Sequence, residues 1–311
     1  MHPAIVAFGE PLMEFSQQPA EERRPLYLAG YGGDTGNTAV AAARQGVGSG
    51  YLSAVGADSF GDDFLELWRR EGVDTRHVRR DDSAPTGIYF ISYGESGHRF
   101  SYRRAGSAAS RLGPADVPED YLAGAQILHV SAISQAISTA MCDAVFHAMA
   151  VARRNGVAVS YDTNLRTSLW PLARARAVIH AAVAEADIVL PSLDDSRELT
   201  GLAEPDTIVD FYQDLGVPLV VLKLGAEGVL VATPEERQRI PGFSVETVDA
   251  TGAGDTFGGS FLARRVLGDE PLAAARYANA AAALSTRGYG AINPIPRREA
   301  VEAFLAGESA R

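Results

Sequence analysis

The sequence predicts an α/β fold, with a mostly parallel central sheet and helices on both of its faces. Two patterns carry that expectation. Beyond Gln126, short apolar runs alternate with longer helix-forming stretches, and such alternation builds parallel βαβ units. Two glycine-rich turns, one at 30–36 and one at 252–254, each run directly into a helix-forming stretch. The frame is a chain of 311 residues, 46% apolar and 22% charged, normal for a soluble globular protein of one large domain or two ordinary ones.

The elements follow in order. Residues 4–9 form a short apolar strand ending in Gly9-Glu10. Residues 10–28 mix polar and apolar side chains, with Pro19 and Pro25 as breaks. The turn at 30–36 opens the first helix, and Asp34 and Asn37, three apart, share one of its faces if the first turn is already helical. Residues 51–55 read as a strand, and 58–65 lead into a helix ending near Gly72. Strands at 86–92 and 99–102 flank Gly94-Glu95-Ser96-Gly97, a hairpin-like spacer. In the second half, strands at 127–131, 157–162, 188–191 and 219–224 are separated by helices at 139–155, 172–184 and 208–215. Helices at 272–285 and 297–305 close the chain, and its alanine-rich segments are good helix formers.

Charge and cysteine content exclude several classes of function. A formal charge of −11 argues against a nucleic acid or an anionic membrane as the main partner. No apolar run is long enough to cross a bilayer, and the N-terminus lacks a secretory pattern. Cys142 is the one cysteine, so no intrachain disulfide can form, and its apolar helical surroundings suit a buried thiol. The six histidines are scattered without zinc-ligand spacing. The expectation is a cytoplasmic protein that acts on a small molecule.

The chemistry concentrates at 249–261. Gly252-Ala253-Gly254 reads as the turn into a helix whose Phe257, Phe261 and Leu262 recur at helical spacing, with Gly258, Gly259 and Ser260 between them. Amides at a helix N-terminus lack intrahelical acceptors and share the positive end of the dipole, and glycine lets a ligand approach them, which suits phosphate. Asp255 in the first turn stabilises a helix by itself. Beside a phosphate-binding turn it also suits taking the proton of an attacking hydroxyl.

This segment resembles the Asp-Thr-x-Gly-Ala-Gly-Asp signature of the ribokinase-like (PfkB) carbohydrate kinases, with Ala250 in place of the first Thr. The stretch 32–39 resembles the same family's Gly-Gly-x-x-x-Asn-x-Ala signature, in the family's order along the chain. The resemblance implies a single domain over 1–311, a three-layer α/β/α core and a small β-sheet lid formed by about 10–33 and 85–106. It implies that Asp255 is the catalytic base and that Gly252, Ala253 and Gly254 form the anion hole. Asp34 and Asn37 would hydrogen-bond sugar hydroxyls, and Gly33 would let the sugar approach the backbone. Asp162-x-Asn164-x-Arg166 resembles the segment near phosphates and substrate, and Lys223 to Gly228 the nucleotide-side loop. Asn164, Ser192, Lys223, Gly225, Gly228 and Asn279 are thereby nucleotide-side candidates, although Asn279 also reads as a polar helix residue. The family's Asn-x-x-Glu is here Ser192-x-x-Asp195, which leaves Asp195 either a magnesium-linked acid or a helix N-terminal one. ATP and Mg²⁺ are the implied cofactors, with K⁺ near Asp249 as a further one, and a homo-oligomer of two or more copies is expected.

The segment 102–109 resembles the lid segment of 2-keto-3-deoxygluconate kinases, where Tyr102, Arg104 and Arg166, with Tyr89 from the lid strand, would contact the acid sugar. Arginine forks suit a carboxylate, although Tyr102 and Arg104 also read as an exposed strand edge. The expected activity is transfer of the γ-phosphoryl of ATP to a primary hydroxyl of that sugar acid. A fructokinase or another acid-sugar kinase is the alternative within the family, and a silent sugar sensor is the alternative outside catalysis. A dinucleotide-binding oxidoreductase is disfavoured, because its glycine motif would lie too late in the chain and the acid some 20 positions on is Glu270, away from a strand end.

Overall fold

The computed structural model describes residues 2–18, 26–94 and 97–309. Pro19, Pro25 and the hairpin residues Glu95 and Ser96 lie outside them.

The chain begins with β1 (Ile5–Phe8), β2 (Leu12–Gln18), β3 (Leu26–Gly32), α1 (Asp34–Arg44) and β4 (Ser49–Gly56). It continues through α2 (Ser59–Glu71), β5 (Val73–Asp74), β6 (Val78–Asp81), β7 (Gly87–Gly94), β8 (Gly97–Arg103) and α3 (Glu119–Ala123). The alternating half holds β9 (Ile127–Ser131), α4 (Ala132–Ala136), α5 (Thr139–Arg154), β10 (Ala158–Asp162), α6 (Leu172–Val183), β11 (Ile188–Val189), α7 (Leu193–Thr200), α8 (Pro205–Asp214) and β12 (Leu219–Lys223). It ends in β13 (Gly228–Ala232), β14 (Arg237–Pro241), α9 (Ala253–Val266), α10 (Pro271–Ser285) and α11 (Arg298–Ser309).

Every residue of β1 is buried, because the strand lies inside the sheet between β4 and β9 and is covered on both faces. The order is β14-β13-β12-β11-β10-β9-β1-β4-β5, with β6 also paired to β4. All neighbours are parallel except β13 against β12 and β14. Alternation along β1 divides the core: Val6 and Phe8 pack with α5, α6 and α8, while Ile5 joins α9 and α10 on the other face. The result is a three-layer α/β/α body. A second sheet, ordered β3-β2-β7-β8, stands apart from it.

The patterned strands and helices stand where the apolar periods put them. The differences lie in polar or very short elements. α7 hides in the polar run Leu-Asp-Asp-Ser-Arg-Glu-Leu-Thr; it is started by the Ser192 hydroxyl accepting from the Asp195 amide and held by buried Ser196 and Leu199. β14 is an exposed edge strand with one buried residue, Ile240, so it shows no apolar alternation. Asp58, in the stretch before α2, has a packing role: it accepts from the Gly61 amide and from both the amide and hydroxyl of Thr86. Among the described residues, no helix is long and apolar enough to cross a membrane.

Candidate active site

Five adjacent parallel strands deliver side chains to one cleft at their carboxyl ends. Glu10 follows β1, Ile133 follows β9, Asp162 ends β10, Ser192 follows β11, and Lys223 ends β12. The small sheet closes one side with Leu12, Tyr89, Ile91, Phe100 and Tyr102, and the cleft encloses about 980 Å³.

Two helix N-termini meet at its floor. Gly252 precedes α9 at φ 74°, and a Cβ there would lie 2.9 Å from the Ala291 Cα, so only glycine fits the turn. Asp255 sits in the first turn of α9, and Asn37 in the first turn of α1 donates to its carboxylate at 2.8 Å. Burial raises the Asp255 carboxyl to about 7; the Asp34 carboxylate adds to the shift, and the Asn37 hydrogen bond opposes it. Asp34 is raised as well, mainly by burial, and accepts from Asn164 at 2.9 Å.

Lys223 faces Asp162 at 2.6 Å, and its ammonium lies 3.6 Å from the Cβ position of Gly254. A mobile-stemmed cation therefore borders the glycine turn. Asp195 lines the cleft and accepts from the Leu165 amide at 3.1 Å, tying α7 to the segment after β10. Burial raises its carboxyl, and Asp162 adds to this.

On the small sheet, Tyr89 donates to buried Glu14 across paired strands, and its ring stacks on Tyr102 with centroids 5.6 Å apart. Arg104 lies over the Tyr102 ring, 5.3 Å from its centroid, and pairs with Glu10. Burial lowers Arg104 to about 10, and the Arg166 guanidinium nearby adds to this. Arg166 donates to the Leu165 carbonyl at 2.7 Å.

The cleft thus gathers Gly33, Asp34, Asn37, Tyr89, Tyr102, Arg104, Asn164, Arg166, Ser192, Asp195, Lys223, Gly225, Gly252, Gly254 and Asp255. Four candidates do not line it: Ala253, Gly228, Asn279 and Asp249. Asn279 is buried and donates to the Ile240 and Pro241 carbonyls at 3.3 and 3.2 Å, joining α10 to β14. Asp249 accepts from the Thr251 amide and hydroxyl and from the Gly290 amide, joining two loops beside α9. Glu10 and Glu14 were missed by motif reading. The position of Gly9-Glu10 at the carboxyl end of the first apolar strand was the available signal for Glu10; Glu14 had none, since its partner lies 75 residues away.

Comparison with known proteins assigns the class. The pfkB family carbohydrate kinase profile matches residues 4–298, so the chain belongs to that family and is a carbohydrate kinase, a phosphotransferase with an alcohol group as acceptor. It is 36% identical to a 2-dehydro-3-deoxygluconokinase from Thermoproteus tenax, over 97% of this chain and 94% of that one. A fructokinase from Vibrio cholerae, solved with fructose, ADP and calcium ion, superposes with a TM-score of 0.87 at 32% identity, covering 97% of this chain and 99% of that one. An E. coli protein assigned as a ribokinase II, in complex with ATP and Mg²⁺, superposes with a TM-score of 0.89 at 28% identity, covering 98% and 99%.

Proposed function

We propose that this kinase moves the γ-phosphoryl group of ATP to a primary hydroxyl of 2-keto-3-deoxygluconate. The observation that carries the sugar acid is the pair of guanidiniums, Arg104 and Arg166, brought into one cleft with Tyr102 from segments far apart in sequence. A carboxylate matches such forked donors, whereas a neutral ketose leaves their charge unused. The 2-dehydro-3-deoxygluconokinase relative supports the same reading.

Asp255 is the base in this reading. Its carboxyl, raised by burial, suits accepting a proton near neutral pH, and Asn37 holds it in place. The amides of Gly252 and Gly254, the two residues of the turn that line the cleft, would meet the charge that develops on the transferred group, each such donor being worth ~3 kcal/mol in the transition state. The Ala253 amide is instead bonded to the Ala250 carbonyl at 3.2 Å. Lys223, beside Gly254, adds a positive charge there. Tyr89, Tyr102, Asp34 and Gly33 border the acceptor, and the small sheet acts as its lid within one kinase domain.

The site fits a nucleotide that brings its own cation. Among the described residues, no group of three or more His, Cys, Asp or Glu could cage a metal. Mg²⁺ on phosphate oxygens keeps several waters and needs few carboxylates, for which Asp195 is placed at the cleft wall. For K⁺, Asp249 would act by holding two neighbouring loops in place, since its oxygens already accept from Thr251 and Gly290, and backbone carbonyls nearby would supply the ligands.

A coupled ADP-release assay over keto-deoxy sugar acids, fructose, ribose and nucleosides tests the reading. The highest kcat/KM is expected with 2-keto-3-deoxygluconate. A higher value with fructose would replace the sugar-acid assignment with a fructokinase one.

A further inference from the structure

Glu10 belongs to none of the motifs that define the site, yet it is 1% exposed at the cleft and pairs with Arg104, itself 9% exposed. A buried carboxylate of this kind is costly to keep unless it has a function or a partner that fully satisfies it. Here satisfaction is incomplete. Arg104 Nε is buried without a hydrogen-bond partner, while its plane lies over Tyr102 at the cleft wall. Arg104 therefore keeps donors for a ligand but has its charge cancelled by Glu10. Arg166 differs: among the described residues it donates to the Leu165 carbonyl at 2.7 Å and forms no close ion pair, with the Asp34 and Asp195 carboxylates acting on it from farther off. Glu10, Arg104 and Arg166 together carry a net charge of no more than +1, and the Asp34 and Asp195 carboxylates that act on Arg166 leave no second positive charge for an anion.

We propose that Glu10 is a specificity-determining residue that limits this subsite to monoanionic acceptors and excludes sugars bearing a dianionic phosphate at the same end. The inference rests on the sugar-acid reading above. A single carboxylate matches the single free charge and can still bond the spare donors of Arg104. A phosphate ester brings a second negative charge against Glu10 in a half-buried site, where a unit charge a few ångströms away changes binding by more than tenfold. Rejection by an unpaired like charge is a common route to specificity.

The test compares three acceptors: 2-keto-3-deoxygluconate as the monoanion, fructose as the neutral sugar, and fructose 1-phosphate as a dianion that retains a free primary hydroxyl. In Glu10→Gln, which keeps the shape and removes the charge, kcat/KM for fructose 1-phosphate relative to fructose should rise at least tenfold. Glu10→Asp should restore the original order. A uniform change across all three acceptors, or no gain with the phosphate ester, overturns the proposal. Should Glu10→Gln unfold at assay temperature, the double variant Glu10→Gln with Arg104→Gln removes both charges together and again leaves Arg166 alone. It should leave the ratio of kcat/KM for fructose 1-phosphate to that for fructose at its wild-type value, and a gain with the phosphate ester there would also overturn the proposal. The sugar-acid reading fails separately, when the wild-type enzyme does not favour the monoanion over fructose.

Discussion

Replacing Asp255 with asparagine removes an ionisable carboxylate and leaves the surrounding geometry nearly intact. Asn37 donates to Asp255 Oδ2 at 2.8 Å, and an asparagine carbonyl can accept the same bond. What disappears is proton acceptance, a contribution of ~10²–10⁴ in rate for a positioned base. Asp255→Asn should therefore lower kcat by about a thousandfold, with ATP affinity by calorimetry changed by no more than about threefold. The pH dependence gives a second reading. A base works ionised, and burial raises this carboxyl to about 7, so wild-type kcat/KM should climb as pH rises through about 7 and level off above it. The residual rate of the variant should lack that limb. Stability moves in the opposite sense. The folded state favours the protonated carboxyl, so the stability this group contributes is full below its unfolded pKa of ~3.9 and is lost as pH rises through about 7. The neutral amide escapes that loss. The variant should unfold at a higher temperature than wild type at about pH 8 and at a similar one near about pH 4, with ~4 kcal/mol as the ceiling and Asp34 sharing in it. Near-normal turnover in Asp255→Asn, or a wild-type rate that is flat across neutral pH, would remove Asp255 as the base.

Two further perturbations probe its neighbours. Lys223→Met should lower kcat by about 10–100-fold through loss of charge beside the glycine turn. It should also move the acid limb of the pH profile upward, because Lys223 opposes the rise of the Asp255 carboxyl; an unmoved limb would place the lysine outside the reacting charges. Gly259→Ala inserts a Cβ that would stand 2.4 Å from the Thr38 carbonyl, so calorimetric unfolding should show a loss of ~1–3 kcal/mol, and wild-type stability would contradict the close crossing of α1 and α9.

Legibility in the sequence followed burial. β1, β9, β10 and β12 are fully or nearly fully buried; β1 and β12 read as continuous apolar runs and β9 and β10 as apolar runs interrupted by His129 and Ser160, and each stands within a residue or two of its run. β3 did not read as a strand because most of its length is exposed and Leu26 and Leu28 alternate with nothing buried. At the site, the glycine turns are conspicuous because few side chains permit that backbone. The ion pair of Glu10 with Arg104 and the bond between Glu14 and Tyr89 are invisible locally, since a paired charge and an unpaired one look alike until the partner strand is placed. Asn279 shows the converse. Its place on α10 suggested a ligand contact, while the structure turns its amide to the backbone of β14.

Gly258 and Gly259 lie one turn beyond Asp255, and neither lines the cleft. At Gly259 a Cβ would meet the Thr38 carbonyl, the Ala41 Cβ at 2.6 Å and the Ala42 amide at 3.0 Å, which brings the backbones of α1 and α9 as close as packing permits. Asn37 and Thr38 occupy the adjacent positions of α1, and from there they reach the carboxylate and the backbone carbonyl of Asp255 at 2.8 and 3.4 Å. In the proposed reaction the first glycine turn serves the acceptor side and the second the phosphoryl side, so the distance between its two halves would be set by a helix crossing inside the core. Phosphoryl transfer gains most from such fixed alignment, because little covalent work is left to the protein. A methyl group added at that crossing would act on the reaction without touching any ligand.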